Sequence, residues 1–406
     1  MSKPSLALIP TAYKAGKLYS VLPENGSGDF DVSRNGTGTY IGEDGLIKTA
    51  LANEPRFEYN FDGTFKGILV EPAATNLIIE SEDISQEPWV NVVSGTSTRE
   101  RISSNIHTGF LGRVTTLAAN SGIRQSIPVN SNTEHFLSFF IKGETCSEVR
   151  IVQENTPAYS GDLKNVFLNI LTGEIISTIG LSSLSVIPYK GGFMVRFSLG
   201  VSRAESGASF NFEIRASNQS DLGKTFIVGL FQFKEGSVAA SYIPTGASQV
   251  TRPADVITRD NAQDLIGQTE GSLYCEFNRP NDVNLNLTVF SLTGNDVGNN
   301  EIMVRFLVNH SLQTLLRIGS SVITAPNYNI NVSLYKVLIT YTQSNFKVFI
   351  NGVSIGDVII SSINFNKSII QFGHNNTTDQ MRGTIKLFAT YKTALTESEA
   401  IALTTL

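Results

Sequence analysis

Apolar and polar positions alternate along most of this chain, and a 3.6-residue apolar period is almost absent. Phe136-Leu137-Ser138-Phe139-Phe140-Ile141 reads as the core of a strand. Phe193-Met194-Val195-Arg196-Phe197-Ser198-Leu199 and Phe210-Asn211-Phe212-Glu213-Ile214-Arg215 alternate with the period of two that puts one face of a strand in a core. Lys336-Val337-Leu338-Ile339-Thr340-Tyr341 and Phe346-Lys347-Val348-Phe349-Ile350 are joined by a short polar turn, and Asn351-Gly352 follows, a strong hairpin signal. One helix is predicted, at the C-terminus. Thr396-Glu397-Ser398-Glu399 has the capping-box spacing, and Ala400, Ile401, Ala402 and Leu403 continue it. Many short strands punctuated by Gly, Asn, Asp and Ser predict a mainly β protein of jelly-roll-like sandwiches.

Three blocks follow from this pattern. Residues 1–80 hold short apolar pieces such as Leu6-Ala7-Leu8-Ile9 and Gly67-Ile68-Leu69-Val70, with no long strand. Residues 81–250 carry a full set of strand candidates. After the polar junction Thr251-Arg252-Pro253-Ala254-Asp255, residues 256–406 carry a second set and the helix. The first block has too little apolar surface for a core of its own, and ordering its Gly-rich backbone costs entropy. It is therefore expected to attach to a partner, either further copies of the chain or other proteins.

Composition narrows the function classes. The chain has 406 residues, room for two or three domains, with 41% hydrophobic and only 17% charged residues. Net charge is −5 and no Lys/Arg run stands out, so no nucleic-acid partner is expected. The start MSKPSLALIP does not read as a secretory signal, and no stretch reaches the roughly 18 apolar residues of a membrane helix. Cys146 and Cys275 are too few for a disulfide framework and read as small buried residues.

Catalytic chemistry finds little support. Residues 256–406 lack the E-x-D-x-x-E string that would set paired carboxylates on one strand of a glycoside hydrolase. Glu80, Glu82 and Asp83 read as solvated turn charges. His107, His135, His310 and His374 lack metal-ligand spacing, and neither a P-loop nor G-x-S-x-G occurs. No enzyme is expected. Binding is the stronger expectation, because sugars are held by exposed aromatics and by loop amides and carboxylates. The candidates are Trp89, the only Trp, and Tyr159 in the loop Asn155–Gly161. Asp296 and Asn299 in one oxygen-rich loop, and Asn375, Asn376 and Asp379 in another, join them. No cofactor is expected. Calcium is conceivable at the oxygen-rich loops, although about one carboxylate per loop is sparse for a hard cation.

Several strings resemble those of tailed-phage structural proteins. They are Ser33-Arg34-Asn35 through Gly45-Leu46-Ile47, then Asn53-Glu54-Pro55-Arg56-Phe57-Glu58-Tyr59, and then Gly67-Ile68-Leu69-Val70-Glu71-Pro72-Ala73-Ala74-Thr75-Asn76-Leu77 with Ser81-Glu82 and Trp89 beyond. Ala240-Ser241-Tyr242-Ile243-Pro244-Thr245 and Val250-Thr251-Arg252-Pro253-Ala254-Asp255 resemble the close of a carbohydrate-binding-module-like jelly roll. Gly271-Ser272-Leu273-Tyr274, the Phe349–Gly352 hairpin, Gly373 and Gly383-Thr384-Ile385-Lys386-Leu387 are similar to a laminin-G or concanavalin-like sandwich. The resemblance implies a virion protein assembled in the host cytoplasm: an N-terminal attachment and oligomerisation segment, a jelly roll, and a laminin-G-like domain. It implies a tail or head fibre, trimeric, that binds other virion proteins through residues 1–80 and contacts host-surface polysaccharide. A spacer without ligand and a polysaccharide depolymerase are the alternatives.

Overall fold

The computed structural model describes residues 2–129, 134–154, 164–179, 182–199, 209–217, 222–236, 238–279, 286–294, 300–319, 321–329, 332–360, 366–373 and 380–406. The chain forms two compact units, and the second is inserted into the sequence of the first. Unit 1 comprises Met1–Gly45, Thr49–Ala73 and Pro253–Leu406; unit 2 comprises Leu46–Lys48 and Ala74–Arg252.

Unit 2 is an antiparallel sandwich of two 6-stranded sheets. One runs, in order, Val90–Asn91, Gly122–Pro128, Ser209–Ala216, Glu148–Glu154, Lys164–Asn169, Ile175–Ile179. The other runs Ser97–Ser103, Phe110–Thr116, Thr225–Glu235, His135–Gly143, Gly192–Leu199, Ser182–Tyr189. The chain crosses repeatedly between the sheets, which is the jelly-roll habit. The predicted alternation is visible in the core, where Phe210, Phe212 and Ile214 of one sheet pack with Leu137, Phe139 and Ile141 of the other. Phe210 stacks on Phe233 with ring centroids 4.6 Å apart.

Unit 1 is a second sandwich, of an 8-stranded and a 9-stranded sheet. The 8-stranded sheet runs Val353–Ile359, Asn345–Ile350, Leu334–Tyr341, Gly271–Asn278, Gly383–Tyr391, Phe65–Val70, Phe57–Tyr59, with Leu6–Leu8 also pairing Gly383–Tyr391. The 9-stranded sheet runs Tyr13–Lys14, Lys17–Leu18, Phe30–Ser33, Val256–Arg259, Ile369–Phe372, Leu287–Thr293, Asn300–Phe306, Leu312–Ile318, Ser321–Thr324. Phe388 of the first sheet lies 5.2 Å from both Phe372 and Phe290 of the second, which marks the shared core. Asn351 and Gly352 both have positive φ (49° and 82°), as the Asn-Gly hairpin signal requires. The helix spans Glu397–Thr404 with the full capping box, and its Ala400 packs with Tyr274, Leu338 and Phe349 on the outer face of the 8-stranded sheet.

The N-terminal block differs from the expectation. Residues 1–80 are not a separate segment awaiting a partner. Leu6, Leu8, Ile68 and Val70 are all 0% exposed, and their strands pair with Gly383–Tyr391. Phe30–Ser33 pairs with Val256–Arg259. The apolar runs therefore find their core in residues 253–406 of the same chain, and the physical motive for an oligomerisation segment disappears. The 81–250 boundary moves as well: Ala74–Asn76 pairs with Val250–Arg252 and belongs to unit 2.

Candidate functional site

Trp89 is not a sugar platform. It is 0% exposed, its Nε1–H donates to the Glu80 carbonyl at 2.9 Å, and its ring lies 4.6 Å from that of Phe231. A large apolar ring with one donor is stabilised by such burial, and no face remains open for stacking. Tyr159, Asp296, Asn299, Asn375, Asn376 and Asp379 lie outside the described residues. Their anchors are described. Thr293 and Asn300 flank one oxygen-rich stretch, whereas Gly373 and Gln380 flank the other, bonded to Val289 and bridged to Thr288 respectively. Thr293 and the pair Gly373 and Gln380 thus lie at opposite ends of the strand Leu287–Thr293. Among the described residues no three His, Cys, Asp or Glu side chains come together as a metal site.

The strings that carry the phage resemblance converge in space, and they serve the folds. In unit 1, Arg34 Nη1 pairs with Asp255 Oδ1 at 2.9 Å, and Arg56 pairs with Asp255 and, at 2.7 Å, with Glu71 Oε2. Arg34 also donates to the carbonyls of Gly36, Leu51 and Glu54, and the Glu71 amide donates to Asp255. All four residues are at most 5% exposed. Burial opposes the charge on Arg56, but Asp255 and Glu71 outweigh it and raise its pKa. Gly67 of the same string has φ +127°, and a Cβ there would meet the Ile385 carbonyl at 2.3 Å. In unit 2, Asn76 donates to Phe231 O and Ile243 O and accepts from Phe233 N, while the Ser81 and Tyr242 hydroxyls lie 2.7 Å apart.

Unit 2 also brings Ser104, His107 and Glu82 together. Ser104 Oγ is 2.6 Å from His107 Nδ1, and His107 Nε2 is 3.1 Å from Glu82 Oε1. The set contains the parts of a nucleophilic triad. However, Ser104 Oγ also accepts from the amides of Ile106 and His107 at 3.1 and 3.3 Å. The geometry is a serine turn that orients His107.

The 9-stranded sheet carries a different arrangement. Phe306 meets Phe277, and Phe290 and Phe372 meet Phe388, so these residues face the core between the sheets. Alternation then turns Ser291, Thr293, Glu301, Met303, Arg305 and Gln371 outward. Register sets two outward rows across four strands: Ile369, Thr293, Glu301, Arg317, and beside it Gln371, Ser291, Met303, Leu315. Arg305 extends the face, its Nε and Nη2 donating to Gln313 Oε1 at 2.9 and 2.8 Å. Ser291, Thr293, Glu301, Met303 and Leu315 form a buried floor; Arg305, Gln313, Arg317 and Gln371 are the half-buried rim.

Glu301 stands out in this floor. It is 1% exposed, yet among the described residues neither carboxylate oxygen has a hydrogen-bond partner, and neither does the hydroxyl of Ser291. Burial raises the Glu301 pKa; Arg317, Lys367 and Arg305 pull the other way. A buried carboxyl group without a hydrogen-bond partner among the described residues is costly, and the charges of Arg317, Lys367 and Arg305 offset part of that cost. Three nearby cations make this carboxylate a poor ligand for a metal dication and a good acceptor for hydroxyl groups. Sequence reading missed these residues because outward polar positions on a strand look like ordinary solvent-facing alternation. The available signal was Glu301-x-Met303-x-Arg305 opposite Gln313-x-Leu315-x-Arg317, two neighbouring strands whose outward positions match in charge and size.

No protein-family model matches the chain, and no curated protein matches it. Among solved structures, the chain is similar to the CBM40 of the Ruminococcus gnavus IT-sialidase bound to α2,3 sialyllactose, with 14% identity over 34% of this chain and 84% of that one and a TM-score of 0.31. Domain 4 of AbnA, a GH43 extracellular arabinanase from Geobacillus stearothermophilus in complex with arabinotriose, is 16% identical over 41% of this chain and 82% of that one, with a TM-score of 0.30. Trypanosoma rangeli sialidase in complex with the inhibitor DANA is 10% identical over 88% of this chain and 66% of that one, again with a TM-score of 0.30. At this level of likeness nothing about fold or ligand follows for the present chain.

Proposed function

We propose that the chain is a non-catalytic structural protein of a tailed-phage particle, a tail or head appendage that binds host-surface polysaccharide on the outward face of the 9-stranded sheet. The observation that supports the binding is Glu301, a buried carboxylate without hydrogen-bond partners among the described residues, rimmed by Arg305, Gln313, Arg317 and Gln371. An acceptor floor with amide and guanidinium donors at its edge matches a ring bearing many hydroxyls. The virion role rests on the resemblance of the strings around Arg34, Arg56, Glu71 and Asp255 to phage structural proteins. A glycan array of host-surface polysaccharides, followed by calorimetry, tests the binding. The expected result is specific binding that Glu301→Gln weakens roughly tenfold, the scale of one charge-assisted hydrogen bond.

The spacer reading has its own support, because the resemblance strings are consumed by internal networks rather than displayed. An array with no binding would favour it. Depolymerase activity is not part of the proposal, since Glu301 is the only carboxylate in the two outward rows and hydrolysis of a glycosidic bond calls for a pair. Release of reducing ends or unsaturated sugars by the pure protein would overturn the non-catalytic reading.

A further inference from the structure

We propose that Asn25 is a site of spontaneous covalent modification: of the chain's three Asn-Gly pairs, it is the one the fold leaves ready to deamidate through a cyclic imide. The pairs are Asn25-Gly26, Asn35-Gly36 and Asn351-Gly352, all in unit 1. In this reaction the glycine backbone nitrogen loses its proton and attacks Cγ of the asparagine. A C–N bond forms and the side-chain nitrogen leaves as ammonia. Water then adds to one imide carbonyl or the other, and the ring opens to aspartate or to isoaspartate, whose main chain runs through Cγ. Glycine favours the attack because no Cβ shields its nitrogen and its backbone turns freely. In sequence the pairs look alike; their hydrogen bonds separate them.

Asn351 is locked into its hairpin. Its Oδ1 accepts from the Lys336 amide at 2.8 Å, its Nδ2 donates to Leu334 O at 3.4 Å, and its own amide donates to Lys336 O at 3.0 Å. The nitrogen that would attack, that of Gly352, donates to Thr404 Oγ1 at 3.1 Å. Asn35 is exposed, but Arg34 clamps the backbone of Gly36 at both ends. The Gly36 amide donates to Arg34 O at 2.8 Å, and Gly36 O accepts from Arg34 Nε at 3.0 Å. Arg34 is itself buried and paired with Asp255. Asn25 differs from both. Residues 24–27 are all exposed, and the Gly26 amide reaches Pro23 O across 3.3 Å, the longest of the three glycine bonds. The Ser27 amide donates to Asn25 Oδ1 at 3.0 Å, which polarises the carbonyl and stabilises the negative charge that builds on this oxygen during attack. The other anchors of the turn, Gly26 O to the Asp29 amide at 3.1 Å and Ser27 O to Arg259 Nε at 2.9 Å, lie beyond the reacting nitrogen. Either product adds a negative charge to a chain whose net charge is already −5.

Incubation of the full chain at mildly alkaline pH, sampled over time and mapped by peptide mass spectrometry with detection of isoaspartate, tests this. The expected result is conversion at Asn25 about tenfold or more faster than at Asn351, where several hydrogen bonds must break first, with Asn35 in between. The same incubation in urea is the control. There the rates should draw together, because the bonds that protect Asn35 and Asn351 are gone. Asn25→Gln should remove the fast phase of ammonia release from the folded chain, since attack on the longer side chain needs a larger ring. Equal rates at the Asn-Gly pairs of the folded chain, or a lead at Asn35 or Asn351, overturns the proposal. An unchanged order and spread in urea overturns it as well, because the order would then belong to the flanking residues and not to the fold.

Discussion

Arg56 shows what a single residue does here. Its guanidinium is completely buried and holds two carboxylates, Glu71 and Asp255, that come from distant parts of the chain. Taking charges out of water is expensive, and the arrangement persists because each partner also has backbone bonds: Thr39 O accepts from Arg56, and the Glu71 amide donates to Asp255. Removing one member strands the others. Arg56→Met is expected to cost about 3–5 kcal/mol in urea unfolding, because buried Glu71 loses its paired guanidinium and buried Asp255 keeps only one of its two, that of Arg34. Lys17→Ala is the control. Lys17 pairs with Asp31, but both side chains are about half exposed, at 49% and 50%, and the expected loss is under about 1 kcal/mol. Equal losses for the two variants would show that the buried network is not what holds these strings together. The Glu301 prediction belongs to the same scale, with binding rather than stability as its readout.

Among the elements, the short N-terminal strand Leu6–Leu8 carries more than its three residues suggest. It lies along Gly383–Tyr391, Leu6 and Leu8 are fully buried, and the Ser5 amide donates to Thr390 O at 2.8 Å. Deleting residues 1–10 should cost about 3–6 kcal/mol, since two leucines return to water and a strand edge is opened. The molecular mass by light scattering should stay unchanged. A change in oligomeric state with no change in melting would restore the oligomerisation role that the apolar runs suggested. The same pairing explains why residues 256–406, despite their hairpin and closing helix, are an incomplete sandwich: the strands Leu6–Leu8, Phe30–Ser33 and Phe65–Val70 belong to their two sheets. The capping box, the Asn-Gly hairpin and the five alternating strands were legible beforehand because each is decided by residues within a few positions of one another.

For the whole molecule, the insertion of residues 74–252, nearly all of unit 2, between Ala73 and Pro253 is the main feature. Its ends are paired to each other, Ala74 with Arg252 and Asn76 with Val250, so the chain leaves and returns at one place. A fragment of residues 74–252 is therefore expected to melt cooperatively by itself. The shorter 81–250 fragment should melt lower, because it loses Asn76, whose buried amide satisfies Phe231 O, Ile243 O and Phe233 N. Each backbone group left unpaired costs about 1–3 kcal/mol. Indistinguishable melts would place the true boundary at residue 81.

The amino-acid sequence by itself determined the β class, five of the strands, the hairpin turn, the capped helix and the presence of two sandwiches. These follow from side-chain periodicity, positive-φ turn residues and capping chemistry, all of which act over short stretches. Only the tertiary structure decided which strands complete which sandwich, that Trp89 is core, that Arg34, Arg56, Glu71 and Asp255 form one network, and that Glu301 lies among Arg305, Arg317 and Ser291. Those facts depend on pairings between residues up to hundreds of positions apart. A strand's period of two says that a side chain faces inward or outward; it does not say which strand lies beside it, and that neighbour is what turns an outward polar residue into part of a site.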